Sequence, residues 1–194
     1  SRADGNNTGL TREYLNYTSE GVLAETIADV RAYFRGEPAA SRDIPGNTIF
    51  TAYNNGWTPT VACGNFFSLL PNDGLRADHS PASLPYLRPD APLGERQTNY
   101  VWQFVDKVAR AVVDEFPDKY LVCLAYQGYW EVPTVVEKLP PNVVVGIAAL
   151  SGPSHVRRTL QPAQYEYGLD LCRRWGAMSE APLFFWKYWL PRGN

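Results

Sequence analysis

The chain has 194 residues, 45% hydrophobic and 20% charged, enough for one domain with a real core or for part of a larger one. A net charge of -2 excludes the strongly basic footprint expected of a nucleic-acid binder or of a protein held on an anionic membrane. No apolar run approaches the ~20 residues that cross a bilayer, and Cys63, Cys123 and Cys172 are too few and too widely spaced for a disulfide framework or a zinc signature.

Residues 1–19 are polar and irregular, with no initiating Met and no signal peptide. Together with an end at Asn194 soon after a strong strand, this leads us to expect a segment of a longer chain. A helix follows. Thr18 or Ser19 can cap it, and Val22, Leu23, Ile27, Val30 and Phe34 recur at helical spacing before Gly36 and Pro38 stop it. Residues 37–64 are rich in Gly, Pro, Asn and Thr, with a short strand or hairpin arm expected at Ile49–Tyr53. Phe66–Leu70 is a nearly all-apolar run, as in a strand buried on both faces of a parallel sheet. Pro71-Asn72-Asp73-Gly74 ends it with turn chemistry. The long loop from Leu75 to Arg96 carries Pro81, Pro85, Pro89 and Pro92, and a loop of that length is functional or disordered.

The spacing of Val101, Val105, Val108, Ala109, Val112 and Phe116 predicts a helix over 98–116, closed by Pro117-Asp118. Tyr120–Tyr126 is the next strand, and Val143–Leu150, entered through Pro140-Pro141-Asn142, another. A helix over 163–178 and a strand at Leu183–Trp189 complete the set. Strands alternating with helices predict parallel β/α units, either in a doubly wound sheet or in part of an eight-fold barrel. Residues 65–194 form these units, and residues 1–64 an irregular segment with one helix that belongs to the same body. No Gly-x-Gly-x-x-Gly follows a strand and no Gly-x-x-x-x-Gly-Lys is present, so no nucleotide cofactor is expected.

Parallel α/β folds bind ligands beyond the carboxyl ends of their strands. The candidates are therefore Asn72 and Asp73 after the first strand, and Tyr126, Gln127, Tyr129, Trp130 and Glu131 after the second. Ser151, Gly152, Ser154 and His155 follow the third, and Trp186, Lys187 and Tyr188 close the fourth. Sugar rings offer apolar C–H faces to Trp and Tyr, while polar groups take the hydroxyls, so this mixture suits a carbohydrate site. The bland alternative is that strand-end aromatics cap the core beneath loops. Asp73 reads as a general acid or a clamp on sugar hydroxyls, or as the acceptor of a good turn. Glu131 is the nearest second carboxylate for glycoside hydrolysis, which needs a pair, or a solvated loop glutamate. His155 could orient a substrate or donate a proton, but no carboxylate fixed beside it in sequence supports a triad. Arg173-Arg174 reads as solvated charge on a helix face.

Asn72-Asp73-Gly74, Pro117-Asp118-Lys119-Tyr120, Leu124-Ala125-Tyr126, Leu139-Pro140-Pro141-Asn142-Val143 and Trp186-Lys187-Tyr188 occur in an order that resembles one bacterial domain-of-unknown-function family. That family is glycoside-hydrolase-like and similar to the TIM barrels of α-glucuronidases and β-hexosaminidases. The resemblance implies a (β/α) TIM-barrel fold of which this chain carries about four consecutive strands, the remainder coming from a longer chain. It implies an oligo- or polysaccharide substrate, with Asp73 and Tyr126 at the sugar-facing end, and an extracytoplasmic location. Lys187 stands where many members have Asp. The expectation is a carbohydrate-active domain, a glycoside hydrolase or a non-catalytic sugar-binding barrel. Asp73 and Glu131 are its catalytic candidates, and Asn72, Tyr126, Tyr129, Trp130, His155, Trp186, Lys187 and Tyr188 its binding candidates. No metal, nucleic-acid or membrane partner is expected.

Overall fold

The computed structural model describes residues 15–45, 54–148 and 162–186, and in these Ser19 opens the first helix, α1 (Glu20–Phe34). The Ser19 hydroxyl accepts from the Val22 N–H, satisfying one of the donors that a helix start leaves free. Gly36 ends the helix at φ +77°, a left-handed geometry that glycine adopts without a Cβ clash. Among the described residues the other α-helices are α2 (Thr98–Val112) and α3 (Pro162–Met178). α2 stops one turn earlier than the apolar spacing suggests. Phe116 keeps its place in the apolar stripe through a turn in which its N–H donates to the Val112 carbonyl. Pro117 disfavours helical geometry at Phe116, so the helix does not resume beyond that turn.

Five strands form one sheet in the order β1 (Ala62–Cys63), β2 (Phe66–Ser68), β3 (Tyr120–Ala125), β4 (Val143–Ile147) and β5 (Phe184–Phe185). β2 to β5 are parallel, with Leu121 opposite Val143 and Ala125 opposite Ile147 in the central pair. β1 pairs antiparallel with β2 and went unread among the turn residues of 37–64. The Ile49–Tyr53 arm lies outside the described residues, as do the ends of the last two expected strands, Ala149–Leu150 and Lys187–Trp189. The chain is thus a mixed α/β protein whose described strands make an open sheet with β1 and β5 at its edges.

The core sits between this sheet and its helices. Tyr100, Val101, Val105, Val108 and Val112 of α2 are buried against Leu121, Cys123, Val143 and Val145. α1 lies beside α2, with Tyr17 stacked on Phe104 at 4.5 Å and Phe34 against Phe116 at 5.4 Å. α2 meets α3 through Trp102 and Trp175, whose ring centroids are 4.5 Å apart. The strand order advances without reversal and the helices pack side by side, so the described strands contain no topological switch point.

β2 departs from the expected two-sided burial. Phe67 is buried among Tyr33, Phe34 and Trp57, but Phe66 is 46% exposed and Leu70 is exposed. The face that carries Phe66 is covered by Tyr120 alone of the neighbouring rings described, stacked at 5.6 Å. An apolar run therefore did not guarantee two covered faces here.

The proline-rich loop is pinned rather than loose. Asp78 accepts from the Ser83 hydroxyl at 2.7 Å, the Tyr100 hydroxyl at 2.9 Å and the Ser80 N–H at 2.9 Å. The Tyr100 oxygen accepts from the Tyr17 N–H, and Thr18 Oγ1 shares a hydrogen bond with Ser83 Oγ. The loop is thereby tied to both α1 and α2, which returns its second half to the carboxyl end of the sheet.

Candidate functional site

The carboxyl ends of β2, β3 and β4 open into a cleft of about 560 Å³, lined among the described residues by Gly74, Leu75, Arg76, Leu93, Arg96, Gln97, Tyr126, Gln127, Gly128, Trp130 and Ala148. Four backbone segments build it. The turn after β2 supplies Gly74 to Arg76, and Gly74 takes the φ of +73° that the Asn-Asp-Gly turn needs. The end of the proline-rich loop supplies Leu93 to Gln97. The short helical turn after β3 supplies Tyr126 to Trp130, and the residue after β4 supplies Ala148.

Hydrogen bonds lock these segments together. The Gly74 N–H donates to Gln127 Oε1 at 3.1 Å, so the β2 turn is fastened to the β3 turn. The Gln97 side chain donates to the Leu75 carbonyl, and its backbone N–H donates to the Gly128 carbonyl at 2.8 Å. Gln127 holds φ +47°, an uncommon geometry for a residue with a Cβ. That geometry belongs to the turn from which its amide reaches Gly74, and residues kept in such conformations concentrate at functional sites.

Trp130 forms one wall of the cleft. Its indole lies so close over Gly94 that a Cβ at that position would overlap the ring. The indole N–H donates to the Tyr167 hydroxyl at 2.7 Å, and the Trp130 carbonyl accepts from Trp175 Nε1 at 2.9 Å. Tyr126 stands edge-on to Tyr129, with centroids 6.5 Å apart. The cleft thus presents two aromatic side chains, two glutamines and two arginines.

The sequence candidates divide among several places. Tyr126 and Trp130 line the cleft. Asp73 is exposed beside it, one residue before Gly74. Its charge is near enough to contribute, after burial and the neighbouring Cys123, Tyr17 and Tyr126, to pushing the Tyr129 hydroxyl pKa above its ordinary value. Asn72 is exposed and outside the described lining. Tyr129 is 1% exposed, in the core below the cleft, and its carbonyl accepts from Trp102 Nε1 at 3.1 Å. Its described surroundings are those of a packing partner for Tyr126. Trp186 is exposed after β5, with its N–H donating to the Ile147 carbonyl. His155, Lys187 and Tyr188 lie outside the described residues.

Glu131 is neither solvated nor in the described lining of the cleft. Arg174 Nη1 pairs with its Oε2 at 2.5 Å, and Tyr167 donates its hydroxyl to Oε1. Burial, followed by this carboxylate, raises the Tyr167 pKa. Arg174 also pairs with Asp170 at 2.7 Å, so it is a bridge rather than a solvated charge, contrary to its reading from sequence. Nothing in the residue pattern marks the contact, because Glu131 and Arg174 are 43 residues apart and meet only when α3 packs beside the β3 loop.

Arg76, Arg96 and Gln97 were missed as site residues. Arg76 and Arg96 sit in a loop whose length suggested function but whose residues carry no periodicity to aim them. The signal available was the loop's position between a strand end and a helix start. Among the described residues no group of His, Cys, Asp and Glu has the arrangement to hold a metal ion, and no helix is long and apolar enough to cross a membrane. Cys123 is buried, Cys172 partly so, and Cys63 is exposed.

No curated protein and no solved structure matches the chain. A family model does match, over residues 86–190, which takes in the second half of the proline-rich loop, the β3 turn with Tyr126 and Trp130, and the Trp186-Lys187-Tyr188 motif but not Asn72-Asp73-Gly74. The chain belongs to the family described as Domain of unknown function (DUF4838).

Proposed function

We propose that the chain is a carbohydrate-active domain of glycoside-hydrolase type, acting on an oligo- or polysaccharide in the cleft at the strand ends. The observation that carries this reading is the lining itself. Tyr126 and Trp130 offer aromatic faces, while Gln97, Gln127, Arg76 and Arg96 offer polar groups at the same opening. Such a mixture suits a ligand with apolar C–H faces and a rim of hydroxyls. An opening at the carboxyl ends of parallel strands is where barrels keep their active sites. The unreversed strand order and the side-by-side helices favour a barrel segment over a doubly wound sheet, with the remaining strands supplied by a longer chain.

In this reading Asp73 is the general acid or the clamp on sugar hydroxyls, standing next to Gly74 at the cleft edge. Replacing Asp73 by Asn lowers turnover by about 10²–10⁴ if it transfers the proton. The check is release of reducing ends from a panel of oligosaccharides by the wild type and by Asp73→Asn. An unchanged rate on a substrate that the wild type hydrolyses rejects the acid role.

A second reading, a non-catalytic sugar-binding domain, is favoured by Glu131. Its ion pair with Arg174 engages the carboxylate that would have completed a catalytic pair. Calorimetric binding of an oligosaccharide with no reducing ends released over a long incubation supports this reading over the first.

A further inference from the structure

The charged residues lining the cleft, among those described, are two arginines, Arg76 and Arg96. Most of the other described arginines are occupied. Arg88 pairs with Glu95 at 2.6 Å, Arg110 with Asp106 at 2.9 Å, and Arg174 with Glu131 and Asp170. Arg76 and Arg96 take part in no ion pair among the described residues. Arg96 is held in place by a neutral contact, its Nε donating to the Ala91 carbonyl at 3.0 Å. That bond leaves the terminal nitrogens of its guanidinium to other partners. Gln97, the capping residue of α2, lines the same cleft, so the N-terminal end of that helix lies beside it. The first turn of α2 contains no acidic residue to neutralise the partial positive charge of a helix start. No carboxylate belongs to the described lining.

Amides and carbonyls suffice for the hydroxyls of a neutral glycan, whereas two guanidiniums outside the described ion pairs add a positive charge that an acidic ligand neutralises and a neutral one does not. Guanidinium groups match the geometry of carboxylate and sulfate oxygens and bind them with charge-assisted hydrogen bonds, about twice as strong as neutral ones. We propose that the cleft selects an acidic glycan, with Arg76 and Arg96 receiving a carboxylate or sulfate group while Tyr126 and Trp130 receive the ring faces. This rests on the carbohydrate reading of the same cleft and specifies its substrate class.

The test is titration calorimetry on the full 194-residue chain with three probes of matched length: an oligouronate, a sulfated oligosaccharide and a neutral oligosaccharide. Each is run against the wild type, Arg76→Gln, Arg96→Gln and the control Arg88→Gln. The expected result is tighter binding of an acidic probe than of the neutral one. Arg76→Gln and Arg96→Gln each weaken the acidic probe by about 10- to 100-fold and the neutral probe by less than about 2-fold. Arg88→Gln, whose partner is Glu95, leaves all three unchanged. Added salt weakens the acidic probe selectively. Whichever acidic probe binds more tightly identifies the anion. Equal affinity for acidic and neutral probes, or acidic binding untouched by both cleft substitutions, overturns the proposal and leaves the carbohydrate reading standing. Failure of all three probes to bind overturns both.

Discussion

Asp78 ties the proline-rich loop, whose end lines the cleft, to α2, although it does not line the cleft itself. Burial alone would raise its pKa, but hydrogen bonds from Ser80, Ser83 and Tyr100 outweigh burial and hold the carboxyl below its ordinary range. The folded-state pKa is therefore lower than the unfolded one. Such a group contributes stability that is present above the unfolded pKa and lost as pH falls through the folded pKa. Tyr100 is 0% exposed and its hydroxyl would be buried without a described acceptor, whereas Ser83 keeps Thr18 Oγ1 as a partner. Asp78→Ala is expected to cost about 2 kcal/mol at neutral pH, and to flatten the loss of stability that this carboxylate is expected to give the wild type as pH falls through and below the ordinary carboxylate range. Urea midpoints across that range measure both effects. A variant with the wild-type acid limb would mean that another carboxylate controls it. None of this was legible from the Asp-His-Ser-Pro stretch, where Asp78 resembles any loop aspartate. Its partners are 2, 5 and 22 residues away, and the last, Tyr100, is placed by the packing of α2.

At the scale of elements, one close constraint is the seam between β4 and β5. Gly146 lies opposite Phe184, and a Cβ on Gly146 would overlap both the Phe184 ring and a methyl of Leu124. The glycine is there for close approach rather than for an unusual backbone. Gly146→Ala is expected to destabilise the fold by about 1–3 kcal/mol, the ordinary effect of overfilling a packed core. Thermal unfolding reads it, and restoration by the double substitution Gly146→Ala with Phe184→Leu would attribute the loss to this contact. If Gly146→Ala alone is as stable as the wild type, the seam is looser than its geometry implies. The parallel strands and the helices between them were readable from sequence because apolar periodicity and Pro or Gly punctuation coincide at each one. β1 was not, because two residues carry no periodicity. Nor was the bare side of β2, because an apolar run does not say which neighbours cover it. The lining of the cleft was readable where it directly follows a strand end, at Tyr126 and Trp130. It was unreadable where it is loop-borne, at Arg76, Arg96 and Gln97, and a candidate was misread where a distant helix captures it, as Arg174 captures Glu131.

For the whole molecule the question is which residues make one cooperative unit. The family match begins at residue 86, after α1, β1 and β2. The packing does not respect that boundary. Val30 of α1 is fully buried, Val22 and Tyr17 are nearly so, and Tyr17 stacks on both Tyr100 and Phe104. The buried Gln103 donates to the Tyr17 carbonyl at 2.8 Å, and Arg31 donates to the Ala111 carbonyl at 3.0 Å. Removing residues 1–85 would also strip β3 of one of its two hydrogen-bonded neighbours, since Phe66 to Ser68 pair with Tyr120 to Val122. Burial of Val22, Val30, Tyr17 and Phe67 contributes about 2 kcal/mol each, before the loss of strand pairing is counted. Their sum is comparable to the whole stability of a typical domain, about 5–15 kcal/mol. The segment 86–190 expressed alone is therefore expected not to unfold cooperatively and to lose the fixed environment of Trp102 and Trp175, whereas the full chain gives a single transition. Near-ultraviolet circular dichroism and tryptophan fluorescence during urea titration distinguish the two. A sharp transition from the 86–190 segment, with the native aromatic signal, would show that α1 and β2 are attachments to a self-sufficient unit. The opposite result makes the cleft a property of the larger unit, because the turn carrying Gly74 to Arg76 depends on β2 for its position.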